Sequence, residues 1–172
     1  MKSGGHIWLL GLSGSGKSTL APLLAQKLGL AFLDTDEVIV QSAKRPIPEI
    51  FSTEGETGFR QREMEVIREI KTHPPTVVAC GGGAVLQAEN LEIMQQTGVR
   101  VYLRTPPELL VERLRHKKDR PLLAQGSLSD TLANQLSQRE PRYRESEILV
   151  ETGMDSPAEL AEKIFARLKA KP

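Results

Sequence analysis

The sequence predicts an α/β fold, a parallel sheet covered by helices on both faces. Two observations carry that prediction. Short apolar runs alternate with helical patterns along the whole chain. The runs are apolar almost throughout rather than at every second residue, the pattern of strands buried on both faces.

The elements can be taken in order. Ile7–Leu10 reads as the first strand, and Leu20, Leu23, Leu24 and Leu28 then repeat at helical spacing, with Gly29 as the stop. Ala31–Leu33 is the second strand. A helical stretch follows through Phe59, Arg60, Glu63, Val66, Ile67 and Ile70. Thr76–Cys80 and Val99–Leu103 are the third and fourth strands. Thr105-Pro106-Pro107-Glu108 reads as a capping box with proline at the first helical position. Another helix carries Leu132, Leu136 and Arg139 ahead of Pro141 and Tyr143, and Ile148–Val150 is the fifth strand. Ser156-Pro157-Ala158-Glu159 is a second capping box, opening a stripe of Leu160, Ala161, Ile164, Phe165 and Leu168. No repeat, low-complexity tract or long linker interrupts the series, so residues 1–172 are expected to form one domain.

Composition narrows the function classes. A formal net charge of +1 argues against a general nucleic-acid binder. A single cysteine, Cys80, has no intramolecular partner and suits a reducing compartment. No apolar run approaches the roughly 20 residues that span a bilayer. Met1 leads straight toward a strand, without room for a cleavable signal, so a cytoplasmic protein is expected.

Gly11-Leu12-Ser13-Gly14-Ser15-Gly16-Lys17-Ser18 matches G-x-x-x-x-G-K-[ST] in the setting that motif requires, after a strand and opening a helix. Its glycines allow a tight turn with N–H groups aimed at phosphate oxygens, and the helix N-terminus favours the anion. Lys17 would neutralise the β- and γ-phosphates and the Ser18 hydroxyl would ligate Mg²⁺. The loop indicates a nucleotide and leaves the reaction open.

Four further signals bear on the reaction. Asp34 and Asp36 lie two apart, so on an extended segment both carboxylates face one site, one for Mg²⁺ and one to accept a hydroxyl proton; helix-capping acids are the plain alternative. Arg60 and Glu63 are spaced for an ion pair that would fix a guanidinium for a carboxylate, or simply decorate a surface. Gly81-Gly82-Gly83 permits close approach of a ligand to the backbone, or a flexible turn. The basic run Arg113–Arg120 reads as a solvated connection or as a lid bringing an arginine onto the phosphoryl group, and Arg139 as a second binding cation or a surface residue.

Taken together, Gly-x-x-Gly-x-Gly-Lys-Ser-Thr from Gly11, Asp-Thr-Asp from Asp34, Gly-Glu-x-x-Phe-Arg from Gly55, Gly-Gly-Gly-Ala-Val from Gly81, Arg-Pro-Leu-Leu from Arg120 and Arg-x-Pro-x-Tyr from Arg139 closely resemble the shikimate kinase family. The resemblance implies a three-layer α/β/α P-loop kinase whose five-stranded parallel sheet has the order 2-3-1-4-5. It implies a monomer that phosphorylates the 3-hydroxyl of shikimate with MgATP, in aromatic amino-acid biosynthesis, with no nucleic-acid or membrane partner. Under it, Gly14, Ser15, Gly16, Lys17, Ser18 and Thr19 bind ATP and Arg113 stacks on adenine opposite the loop near Pro157. Asp36 accepts the proton and binds substrate hydroxyls, Arg60 and Arg139 clamp the carboxylate, and Gly82 offers backbone contact. Arg120 closes over the phosphates, while Ser18 and Asp34 serve Mg²⁺. The substrate-binding region would span about 34–62 and the lid about 113–127. A gluconate-type kinase and a silent nucleotide-binding paralogue are the alternatives.

The chain departs from the family pattern in four places. Gln41–Pro46 replaces a stretch that often carries glycine, and Val40 stands where glutamate is common. Ala79-Cys80 stands where a hydroxyl residue is common, and Asp155 where a basic residue is frequent in the adenine loop.

Overall fold

The structure, a computed structural model, describes residues 5–115 and 127–170. The strands β1 (His6–Leu10), β2 (Ala31–Asp34), β3 (Thr76–Ala79), β4 (Gly98–Arg104) and β5 (Ile148–Glu151) form one parallel sheet of order β2-β3-β1-β4-β5. The expected order is thus the observed one. The helices are α1 (Lys17–Leu28), α2 (Thr35–Ala43), α3 (Ile47–Ile70), α4 (Ala88–Thr97), α5 (Pro107–Leu114), α6 (Leu128–Tyr143) and α7 (Pro157–Ala170).

Strand periodicity sorts the core into two halves. Ile7, Leu9, Val77, Ala79, Val101 and Leu103 face α1 and α7, where they meet Leu20, Leu24, Leu160 and Ile164. Trp8, Leu10, Val78, Cys80 and Tyr102 point the other way, onto Ile50 and Ile67 of α3, Met94 of α4, Leu110 of α5 and Leu132 of α6. Each wholly buried leucine or isoleucine contributes about 1.5–3 kcal/mol. The layers are therefore helix, sheet, helix. No helix among the described residues is long and apolar enough to cross a membrane.

Two local expectations are corrected. Strand β2 is not buried on both faces: it is the sheet's edge, and Phe32 is 49% exposed. The capping box at Thr105 does not form, because the Thr105 hydroxyl pairs with that of Thr152 at 2.6 Å and Pro106 becomes the residue before α5. The box at Ser156 does form, with Ser156 N donating to Glu159 Oε2 at 2.7 Å and Glu159 N to Ser156 Oγ at 3.3 Å.

Helix α3 bends sharply at Gly55, whose backbone (φ 69, ψ −176) no L-residue adopts without strain. The guanidinium of Arg62 spans the bend, its Nε and Nη2 donating to Glu54 at 2.7 and 2.9 Å. Arg45 reaches the same carboxylate at 2.6 Å. Lys44, in the stretch where the family often has glycine, ends α2 with φ 53. Glycine would occupy such a left-handed position without strain.

Candidate active site

The loop between β1 and α1 turns through Gly11, Gly14 and Gly16, all at positive φ. Gly14 also packs tightly: a Cβ there would stand 3.0 Å from Cγ of Leu114. No side chain caps α1 at Gly16, which leaves the helix N-terminus open to an anion. The Lys17 ammonium folds over the loop, donating to the carbonyls of Gly11 (2.7 Å) and Leu12 (2.9 Å) and to Ser15 Oγ (3.2 Å). The loop is therefore shaped with its cation already in place.

The two aspartates share the site for a reason other than the one read from sequence. Only Asp34 is extended; Thr35 and Asp36 already belong to α2. Asp34 is the helix cap, with Oδ1 accepting from Asp36 N at 2.9 Å, and it is also a cleft residue, with Oδ2 accepting from Ser18 Oγ at 2.5 Å. One side chain thus both caps α2 and lines the cleft.

The glycine triplet lets side chains, as well as any ligand, lie against bare backbone. A Cβ at Gly81 would stand 2.5 Å from Glu63 Oε1 and 2.9 Å from Asp36 Oδ1. At Gly82 it would meet Arg139 Nη1 at 3.4 Å, and at Gly83 it would overlap the Arg60 guanidinium at 2.2–2.3 Å. Arg60 donates from Nη1 to Glu63 Oε2 at 2.9 Å, the expected ion pair, and approaches Glu56 at 3.3 Å. This pair is buried, unlike the surface alternative, and Glu63 is fully enclosed. Burial pushes the Glu63 carboxyl up to about 7 against the pull of Arg60, with the nearby Asp36 charge adding to the rise. Arg139, also buried, is held below the usual arginine range first by burial and further by repulsion from Arg60. Two buried cations that repel each other over adjacent glycines form a receptor for an anion.

A cleft of about 500 Å³ joins these parts, lined by residues 13–20 with Asp34, Asp36, Gly81 and Gly82 at one end and Arg113, Thr152, Asp155 and Pro157 at the other. Arg113 leaves α5 to donate to the Gly14 carbonyl at 3.0 Å. Asp155 pairs with Lys163 of α7 at 2.7 Å. Arg60 and Arg139 adjoin the glycine wall of this cleft. Every expected site residue that is described falls within this neighbourhood; Arg120 and most of the expected lid lie outside the described residues.

Three supporting residues had no role in the sequence reading. The Thr35 hydroxyl accepts from Gly81 N at 2.9 Å. Asn90 donates from Nδ2 to the Ala84 carbonyl at 2.9 Å, just after the triplet. Tyr143 donates its hydroxyl proton to the Gly82 carbonyl. Only Tyr143 left a signal, its four-residue spacing from Arg139 on one helix face.

Comparison with known proteins gives this geometry its family. The shikimate kinase family model matches residues 13–169. A shikimate kinase of Acinetobacter baumannii is 42% identical over 161 residues, covering 93% of this chain and 89% of that protein. One from Thiobacillus denitrificans is 42% identical over 164 residues, covering 95% and 90%. The solved structure of the Acinetobacter baumannii shikimate kinase in complex with shikimate superposes with a TM-score of 0.95 at 41% identity, covering 98% of this chain and 96% of that one. An ATP-using P-loop phosphotransferase by site and by fold, the chain belongs to the shikimate kinase family.

Proposed function

We infer that the chain, as one domain over residues 1–172, transfers the γ-phosphoryl of ATP to the 3-hydroxyl of shikimate, giving shikimate 3-phosphate and ADP on the route to chorismate and the aromatic amino acids. The observation that carries this reading is the pair of buried, mutually repelling guanidiniums, Arg60 and Arg139, set against the glycine triplet with the Asp36 carboxylate beside it. An acceptor with both a carboxylate and hydroxyls suits that combination. A phosphate loop across the same cleft supplies the donor side.

The residues divide the work as follows. The N–H groups of Gly14–Thr19 cradle the phosphates, and Lys17 exchanges its loop carbonyls for phosphate oxygens. Arg113 and Pro157 flank adenine at the far end of the cleft. Arg60 and Arg139 hold the acceptor carboxylate, the Gly82 backbone meets the acceptor ring, and Asp36 orients the hydroxyl and takes its proton at a carboxylate oxygen. Arg120, outside the described residues, would reach the phosphates from the lid. Little covalent chemistry is asked of the protein.

Mg²⁺ fits the donor set present. Ser18 Oγ and the Asp34 carboxylate are hard oxygen donors 2.5 Å apart at the phosphate end of the cleft. Among the described residues there is no group of three or more histidine, cysteine or acidic side chains that could hold a metal ion. A hydrated ion that shares its oxygens with a nucleotide needs no such cage. Bound there, Mg²⁺ would neutralise charge between the β- and γ-phosphates. Ser18 would ligate it directly and Asp34 would orient its water.

A monomer, which the family resemblance implies, is part of the same reading. A cytoplasmic location is as well, resting on the single buried free thiol of Cys80.

The test is ADP release by purified protein with MgATP and shikimate, beside gluconate and a no-acceptor control. Shikimate-dependent release is expected. Release with gluconate alone would move the substrate while keeping the chemistry, and no acceptor-dependent release would leave a silent nucleotide binder. Asp36→Asn is expected to lose most turnover while retaining ATP binding; near-normal turnover would remove Asp36 from the chemistry.

A further inference from the structure

The buried phenol of Tyr143 has no part in the scheme above, yet it lies beside two of that scheme's groups. It is fully enclosed and stacks on Tyr102, ring centroids 4.9 Å apart at 21°. Its hydroxyl donates to the carbonyl of Gly82, the glycine that Arg139 lies against, next to Gly83, which faces Arg60. Arg139 lies one helical turn back on α6, and its Nη1 stands 3.4 Å from where a Gly82 Cβ would be, near enough for its charge to weigh on the buried phenol. The Arg139 guanidinium donates from Nη1 to Gln135 Oε1 at 3.3 Å.

We propose that Tyr143 is a positioning residue for the acceptor: its buried hydroxyl fixes the Gly82 peptide, against which the Arg139 guanidinium lies. The physical reason is twofold. A hydroxyl that gives its proton to a carbonyl leaves its lone pairs outward, which favours a cation beside it. A Gly82 carbonyl bound to the buried phenol is also turned away from an anionic acceptor, which it would repel. Burial raises the phenol above its ordinary range, so it remains a proton donor at every pH at which the protein works. The proposal rests on the acceptor reading given above and deepens it.

The experiment compares wild type, Tyr143→Phe and Tyr102→Phe by steady-state ADP release. Tyr143→Phe keeps the stacked ring and loses only the hydroxyl. It should raise KM for shikimate about tenfold, the usual effect of leaving a buried acceptor unsatisfied, with KM for MgATP unchanged. Tyr102→Phe, which keeps the Tyr143 hydroxyl, should behave as wild type. An unchanged shikimate KM in Tyr143→Phe, a parallel rise for MgATP, or the same rise in Tyr102→Phe would overturn the proposal. Wild type lacking shikimate-dependent release would instead overturn the acceptor reading, and this inference with it. Should Tyr143→Phe fail to fold, fluorotyrosine incorporated into Tyr102→Phe labels Tyr143 alone, since the chain has 2 tyrosines. Shikimate should then shift the single fluorine resonance, and a resonance indifferent to shikimate would refute the contact.

Discussion

Replacing Gly83 by alanine should remove the acceptor site while sparing the fold. The added Cβ would stand 2.2 Å from Nη2 of Arg60 and 2.3 Å from both Cζ and Nη1. Ordinary contact needs about 3.5 Å, so the guanidinium must withdraw by more than about 1 Å. All three nearest atoms belong to the far end of a flexible side chain, and Gly83 itself has an ordinary right-handed backbone (φ −97, ψ 0). The backbone therefore tolerates alanine, and the nearest obstacle is the Arg60 guanidinium. Withdrawal lengthens the 2.9 Å bond to Glu63 and moves the cation away from Gly83. A misplacement of about 1 Å at a positioning group can cost on the order of a hundredfold in rate. We expect kcat/KM for shikimate to fall by about that factor, close to 3 kcal/mol, with KM for MgATP unchanged. The assay is steady-state ADP release with each substrate varied, after circular dichroism has shown the variant folded. A folded Gly83→Ala protein with wild-type kcat/KM for shikimate would refute the argument that the triplet exists to admit Arg60.

Lys44→Gly should stabilise the protein. The lysine occupies a left-handed position at φ 53, and relief of that strain outweighs glycine's extra chain entropy by about 0.5–1 kcal/mol. A raised urea midpoint is the expected result, and a lowered one would show that Lys44 gains more from its contacts than it loses in its backbone. Glu63→Gln should change how stability depends on pH. The folded protein holds the Glu63 proton up to about 7, while the unfolded chain releases it near the ordinary 4.5. The folded state therefore binds the extra proton between those values, and the group's contribution is full below about 4.5 and lost as pH rises through about 7. Glutamine cannot titrate, so its urea midpoint should gain on wild type steadily across that window; a constant difference would place the titration elsewhere.

How much of this was legible in the sequence follows from what kind of physics each feature obeys. The sheet was legible because a strand buried on both faces must be apolar nearly throughout, as Trp8–Leu10 and Val77–Ala79 are. The edge position of β2 was not, since Ala31–Leu33 is as apolar as a central strand and only the packing leaves Phe32 exposed. The phosphate loop was legible because backbone geometry alone dictates its glycines. The Thr105 box misled for the converse reason: its residues satisfy the local rule, but Thr152, from a distant strand end, competes for the same hydroxyl. A local pattern has no term for that competitor.

The candidate site divides along the same line. Arg60 and Glu63 could be paired from spacing, because helix geometry is local, but their burial could not, because it depends on Gly83 arriving from beyond another strand. Gly55 carries a similar lesson. Within a helical pattern it reads as one weak residue, whereas its φ of 69 bends α3 ahead of the turn that bears Arg60. The bend is held by Arg62 and Arg45 converging on Glu54. Arg45 lies in the very segment that departs from the family pattern. The segment thus carries a left-handed lysine at the end of α2 and, next to it, an arginine that ties the corner to α3.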